Sequence, residues 1–161
     1  MDKKFLMTHV GYSKLYSELN RLINEERPSV IDALKESRTY GGELSENSEY
    51  LEAKDRQDVV EKKIAELKVK IESSKIVDIK EIADDGVARF GTIVTMIDFD
   101  DDKELIYQLV GEEEASIKEG KISYRSPLGA AVINKKLGDS VYFRTPNGEI
   151  ELEIIKITMP R

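Results

Sequence analysis

In the first half of this chain the apolar residues recur at steps of three and four. Tyr12, Leu15, Leu19 and Leu22 form one run, Val30, Ile31 and Leu34 resume it, and Val60, Ile64, Leu67 and Ile71 form another. A side chain returns to the same face of an α-helix every three to four residues, so each run marks one buried stripe. Stripes this narrow bury themselves against a second helix. Between the runs lies one short interruption, Gly41-Gly42-Glu43-Leu44-Ser45-Glu46-Asn47-Ser48-Glu49-Tyr50. Each flanking stretch has roughly 30 residues, or about 45 Å of helix. Helices of nearly equal length with a short link fold back as an antiparallel coiled-coil hairpin. The expected domain spans residues 1–76, with an acidic tip at 41–50 held away from the rest of the protein.

Local signals punctuate the stretches. Thr8 is placed to cap the first helix, with Gly11 inside its first turn. Pro28 lacks a backbone N–H, which predicts a kink or local break. The pair Gly41-Gly42 ends the first helix. Ser45 is the expected cap of the second, putting Glu46 and Glu49 in its first turn, where carboxylates favour the positive end of the helix dipole.

After residue 75 the period changes. Ile76 to Ile79, Gly91 to Phe99 and Leu105 to Val110 are rich in β-branched and aromatic residues and read as strands. Asp100-Asp101-Asp102 between two of them reads as a solvated turn rather than a cation site. Val141 to Thr145 and Ile150 to Ile157 flank Pro146-Asn147-Gly148, a hairpin signal. Glu149 to Ile154 alternates acids with aliphatics, as a half-buried antiparallel strand does. Glu112 to Lys118 and Leu128 to Asn134 read as short helices. Residues 77–161 are thus a small domain with a mostly antiparallel sheet, and the whole chain is α+β.

Composition excludes several classes. There is no cysteine, so disulfides and thiolate metal sites are ruled out. The first residues lack the pattern of a signal peptide, and no segment approaches the ~20 apolar residues of a membrane span. A cytoplasmic location and no membrane partner are the expectation. Residues 1–78 hold 14 basic and 16 acidic side chains within a chain of net charge −7, so neither half is a bulk electrostatic grip on nucleic acid. His9 is the only histidine, and nothing resembling a phosphate loop or a Ser-His-Asp set is present.

The chemistry worth weighing lies at the tip. Carboxylates bind hard divalent cations such as Mg²⁺ through oxygen. Glu43 and Glu46 are two ligands, too few for a stable site alone but enough to share an ion with a partner's carboxylates. In two-metal phosphoryl chemistry such an ion activates water and steadies the leaving oxygen. The plainer reading is that these acids solvate a loop and complement a helix dipole.

Several motifs in order resemble the bacterial Gre transcript cleavage factors over nearly the whole chain. Gly42 to Tyr50 is similar to that family's G-D-L-S-E-N-A-E-Y motif. Met7-Thr8 with Gly11, Lys14-Leu15 and Glu18-Leu19 resembles its opening, and Arg27-Pro28 matches a proline its members carry. Ile122 to Ala131 resembles I-S-x-x-S-P-L-G-x-A, and Thr145 to Glu149 resembles T-P-x-G-E. The resemblance implies a coiled coil that enters the secondary channel of bacterial RNA polymerase and an FKBP-like domain, residues 77–161, that docks at its mouth. It implies that Glu43 and Glu46 hold an Mg²⁺ jointly with the polymerase, no cofactor being bound stably by the factor alone. The polymerase then cuts a backtracked nascent RNA internally, and a new 3′ end is aligned for extension. The factor is not an enzyme by itself, and a monomer is expected.

Two departures from the motif stand out. Glu43 replaces the first tip Asp, moving the carboxylate by roughly 1.5 Å, about one C–C bond. One extra residue, Gly41 or Gly42, lengthens the loop. Around the tip, Arg38 and Lys54 are candidates for contact with RNA phosphates, against a solvated helix face. Asn47 and Tyr50 are expected to shape the tip by capping and packing. Ser126 and Pro127 are candidates for meeting the polymerase, against a structural turn. Two other functions compete: a channel-occupying regulator without cleavage stimulation, and a folding helper whose proline pocket would draw on Tyr107, Tyr124, Tyr142 and Phe143.

Overall fold

The computed structural model describes residues 4–39, 43 and 46–160. Contacts divide the chain into two compact units, Ser13–Ser73 and the remainder, Met1–Tyr12 with Ser74–Arg161. The line falls at Tyr12 and Ser73, where the sequence draws it at 76. Strand β1 (Phe5–Met7) precedes the hairpin and pairs in parallel with β2 (Ser74–Ile76) beyond it, so both join the sheet unit.

The hairpin unit is built from α1 (His9–Arg21), a π turn at Leu22–Glu26, α2 (Arg27–Thr39) and α3 (Ser48–Glu72). The break expected at Pro28 takes the form of that π turn, in which Arg27 N–H bonds to Leu22 O, five residues back. A widened turn just before Pro28 carries the helix past a residue that has no N–H and whose ring crowds the carbonyl four positions earlier. Leu19, Leu22, Val30 and Leu34 pack against Ala53, Val60 and Ile64, with Leu67 and Ile71 partly buried. From Leu19 onward the seam therefore follows the apolar period, with Ile31 off it, 37% exposed. Antiparallel pairing is fixed at two levels. Arg27 grips Glu61 with two hydrogen bonds of 2.7 and 2.9 Å, and Asn47 reaches Ser37 nearer the closed end. The arms are less equal than their sequence suggests, because α3 has 25 residues while the first arm runs from His9 to Thr39.

In the sheet unit β3 (Ile93–Asp98), β4 (Lys103–Val110), β5 (Lys121–Ser123), β6 (Ser140–Thr145) and β7 (Gly148–Thr158) lie in the order β5-β4-β3-β7-β6. Every neighbouring pair is antiparallel except β4 with β5. The core holds Val94, Met96, Leu109, Val141, Leu152 and Ile154. Alternation along β7 works as predicted through Leu152 and Ile154, then slips. Thr95 pairs with Lys156 but Met96 with Ile154, so Ile155 is bulged and 40% exposed. The β6–β7 turn closes at Thr145 and Gly148, whose φ of 122° suits glycine.

Some elements differ from expectation. Of Ile76 to Ile79 only Ile76 is in a strand; Asp78 instead caps a 3₁₀ turn, accepting from Lys80 N–H at 3.0 Å. Glu112 to Lys118 forms two separate 3₁₀ turns rather than one helix. The helix near Leu128 is α4 (Pro127–Val132). Asp100 to Asp102 is a turn, with Asp98 and Asp101 each accepting a backbone N–H through one carboxylate oxygen. No described helix is long and apolar enough to cross a membrane.

Candidate functional site

The closed end of the hairpin is organised by one side chain. Asn47, not Ser45, is the residue directly before α3, and its Oδ1 accepts from Tyr50 N–H at 3.1 Å. Its Nδ2 donates to Ser37 O in the last turn of α2 at 2.8 Å. One amide therefore satisfies an orphan donor of α3 and an orphan acceptor of α2. Gly41, Gly42 and Ser45, read from the sequence as helix stop and cap, lie outside the described residues. Glu49 falls in the first turn of α3 as expected, whereas Glu46 precedes the cap.

Glu43 and Glu46 are exposed and joined through the backbone, with Glu46 N–H donating to Glu43 O at 3.1 Å. That bond ties the two acids to one another just ahead of the Asn47 clamp. None of the ion pairs formed by the described residues involves either carboxylate. As hard oxygen donors they suit Mg²⁺ in kind. In number they do not suffice: among the described residues no three His, Asp or Glu side chains converge as a metal site.

Arg38 lies over the Tyr50 ring, 5.6 Å from its centroid, and Lys54 donates to Gln57 at 3.0 Å. Both are exposed on opposite helices, so their charges stay presented beside the tip. The Arg38–Tyr50 stack, which joins α2 to α3, was not visible in the sequence. The spacing of the two residues across an unknown register gives no sign of it.

In the sheet unit Ser126 and Pro127 build the start of α4. Ser126 Oγ accepts from Gly129 N–H at 3.1 Å and donates to Ser123 O at 2.7 Å, and Pro127 takes the first helical position. Both border a cavity of about 560 Å³ that Leu105, Tyr107, Ile122 and Phe143 make apolar. Of the four aromatics considered for a proline pocket, only Tyr107 and Phe143 reach it. Tyr124 packs edge-on to Phe90 at 5.5 Å and accepts from Leu6 N–H, while Tyr142 is exposed and donates to Glu151.

A helical hairpin with two acids at its closed end, followed by a five-stranded α+β unit, matches two family models in sequence. Residues 5–76 match the N-terminal transcription elongation factor domain, and residues 83–159 match the C-terminal domain of transcription elongation factors GreA and GreB. The chain belongs to the GreA/GreB family of transcription elongation factors. It is 46% identical over 157 residues to the transcription elongation factor GreA of Beijerinckia indica, covering 98% of each chain. The same identity and coverage hold for the GreA of Trichlorobacter lovleyi. Among solved structures it is similar to GreA factor homolog 1 of Thermus thermophilus, at 25% identity and a TM-score of 0.43 over 96% of this chain and 99% of that one.

Proposed function

We propose that this elongation factor acts on bacterial RNA polymerase by placing the closed end of its hairpin in the secondary channel, where Glu43 and Glu46 face the catalytic centre. The single observation that carries the reading is the pairing of these two exposed acids at the closed end, linked by the Glu46 N–H to Glu43 O bond. Two carboxylates supply part of a coordination shell and leave the rest to the polymerase's own acids and the RNA phosphate. Mg²⁺ held in this shared way supplies water activation and charge neutralisation at the leaving oxygen. The factor's side chains contribute position and negative charge. Arg38 and Lys54, exposed beside the tip, are suited to the phosphates of the displaced RNA 3′ end. The apolar cavity beside Ser126 and Pro127 is suited to an apolar side chain at the channel mouth. The outcome is internal cleavage of backtracked RNA and a fresh 3′ end for extension, with the bond broken in the polymerase's site.

The test is RNA shortening in stalled, backtracked complexes supplied with Mg²⁺. Wild-type protein is expected to shorten the RNA, and Glu46→Gln to bind without shortening it. Binding with slowed elongation and no shortening by the wild type would instead establish a channel-occupying regulator.

A further inference from the structure

We infer that Asn47 is the positioning residue for the tip acids, acting through the bridge from its Nδ2 to Ser37 O rather than through its role as a helix cap. This rests on the cleavage reading above and deepens it. Ser, Thr, Asp and Asn all cap helices well, so capping alone does not demand Asn. A serine hydroxyl accepts from Tyr50 N–H but is too short to span to α2 at the same time. An aspartate accepts that N–H equally well and has the right shape, yet it turns an oxygen toward the Ser37 carbonyl. Of these four side chains only the amide carries a separate acceptor atom and donor atom, so it alone can serve both helices at once.

The bridge matters because of what adjoins it. Asn47 follows Glu46 directly, and Glu46 is tied back to Glu43 by its own N–H. Ser37 is a firm anchor: it is 2% exposed, and its Oγ donates to Leu34 O at 2.8 Å inside the last turns of α2. The chain entering α3 is thus held to α2 one residue beyond the second acid. With the bridge cut, α3 keeps its cap and the seam keeps its packing, but Glu46, next to the bridge and bonded back to Glu43, loses its tie to α2. Displacements of about 1 Å at a reacting centre cost on the order of 100-fold in rate.

Asn47→Asp and Asn47→Ser separate the two roles. Each is titrated against backtracked complexes, reading the half-saturating factor concentration and the maximal cleavage rate, with circular dichroism as a check on the hairpin. Both variants are expected to keep wild-type helicity and half-saturating concentration while the maximal rate falls by ~10- to ~100-fold. Maximal rates equal to wild type in both variants would overturn the inference. So would a loss confined to the half-saturating concentration, or helix melting in both, since either makes Asn47 a structural residue only. An inactive wild-type protein is a different result and strikes the cleavage reading itself.

Discussion

Replacing Gly129 by alanine sets two effects of opposite sign against each other. Gly129 lies in α4, and alanine is the better helix former by about 1 kcal/mol, so propensity alone predicts a gain. Sterics predict the reverse. A Cβ at this position would run into Ser123 O and lie 2.9 Å from Ser123 C and 3.0 Å from Ser126 Oγ, against an ordinary contact of 3.4 Å or more. The obstacle is backbone, and it is held in place. Ser123 belongs to β5, and its carbonyl accepts from both Ser126 N–H and Ser126 Oγ. On the other side α4 has little room to retreat, because Val132 is fully buried in the sheet core. Overpacking of this kind costs up to about 3 kcal/mol, leaving a net loss of about 2 kcal/mol. At ~4–8 °C per kcal/mol, the melting transition of the sheet unit should fall by about 8–16 °C. Ala130→Gly at the exposed neighbouring position is the control and should cost about 1 kcal/mol through propensity alone. A Gly129→Ala protein as stable as wild type, or more so, would show that this turn is not closed by backbone contact.

Other perturbations follow the same logic. Glu114 is buried and accepts from Thr8 Oγ1 and from Gly11 N–H at the start of α1, so Glu114→Ala should cost ~1.5–3 kcal/mol in chemical denaturation. Arg27→Ala removes the paired bonds to Glu61, but both side chains stay partly exposed to solvent, so the loss should stay near or below about 1 kcal/mol in the same measurement. The hydrogen bond from Arg21 holds the Glu18 carboxyl below the usual carboxylate range. A lowered folded-state value means stability that is present above the unfolded-state value and lost as pH falls through the folded one. Wild type should therefore exceed Glu18→Gln slightly at neutral pH, and the two melting temperatures should converge in acid.

The elements that repeat a period were legible in the sequence. The hairpin seam, strands β3 and β4 and the β6–β7 turn follow from spacing and from Gly148, because periodic burial leaves a periodic trace. What escaped depends on contacts between distant segments. The parallel pairing of β1 with β2 joins three-residue strands on either side of the hairpin, too short for any alternation to register. The bulge at Ile155 arises where β7 must match β3, which β7's own sequence does not record. At the tip, the positions of Glu43, Glu46, Asn47 and Tyr50 at the closed end of the hairpin were readable. The cap position was not, since Ser45 and Asn47 have similar capping preference and the deciding bond goes to Ser37 on the other helix. Asn134, read as the end of a short helix, instead lies beyond α4 and adopts φ 69°, a left-handed conformation that Asn tolerates better than most residues.

The most direct measurement is the Mg²⁺ dependence of RNA cleavage in backtracked complexes with no factor, with wild-type protein, and with the double variant Glu43→Gln, Glu46→Gln. If the two tip acids complete the coordination of an ion the polymerase holds weakly, wild-type protein lowers the Mg²⁺ concentration for half-maximal cleavage, and the double variant binds yet restores the factor-free value. The same Mg²⁺ midpoint with wild type and double variant, at equal cleavage rates, would contradict the account.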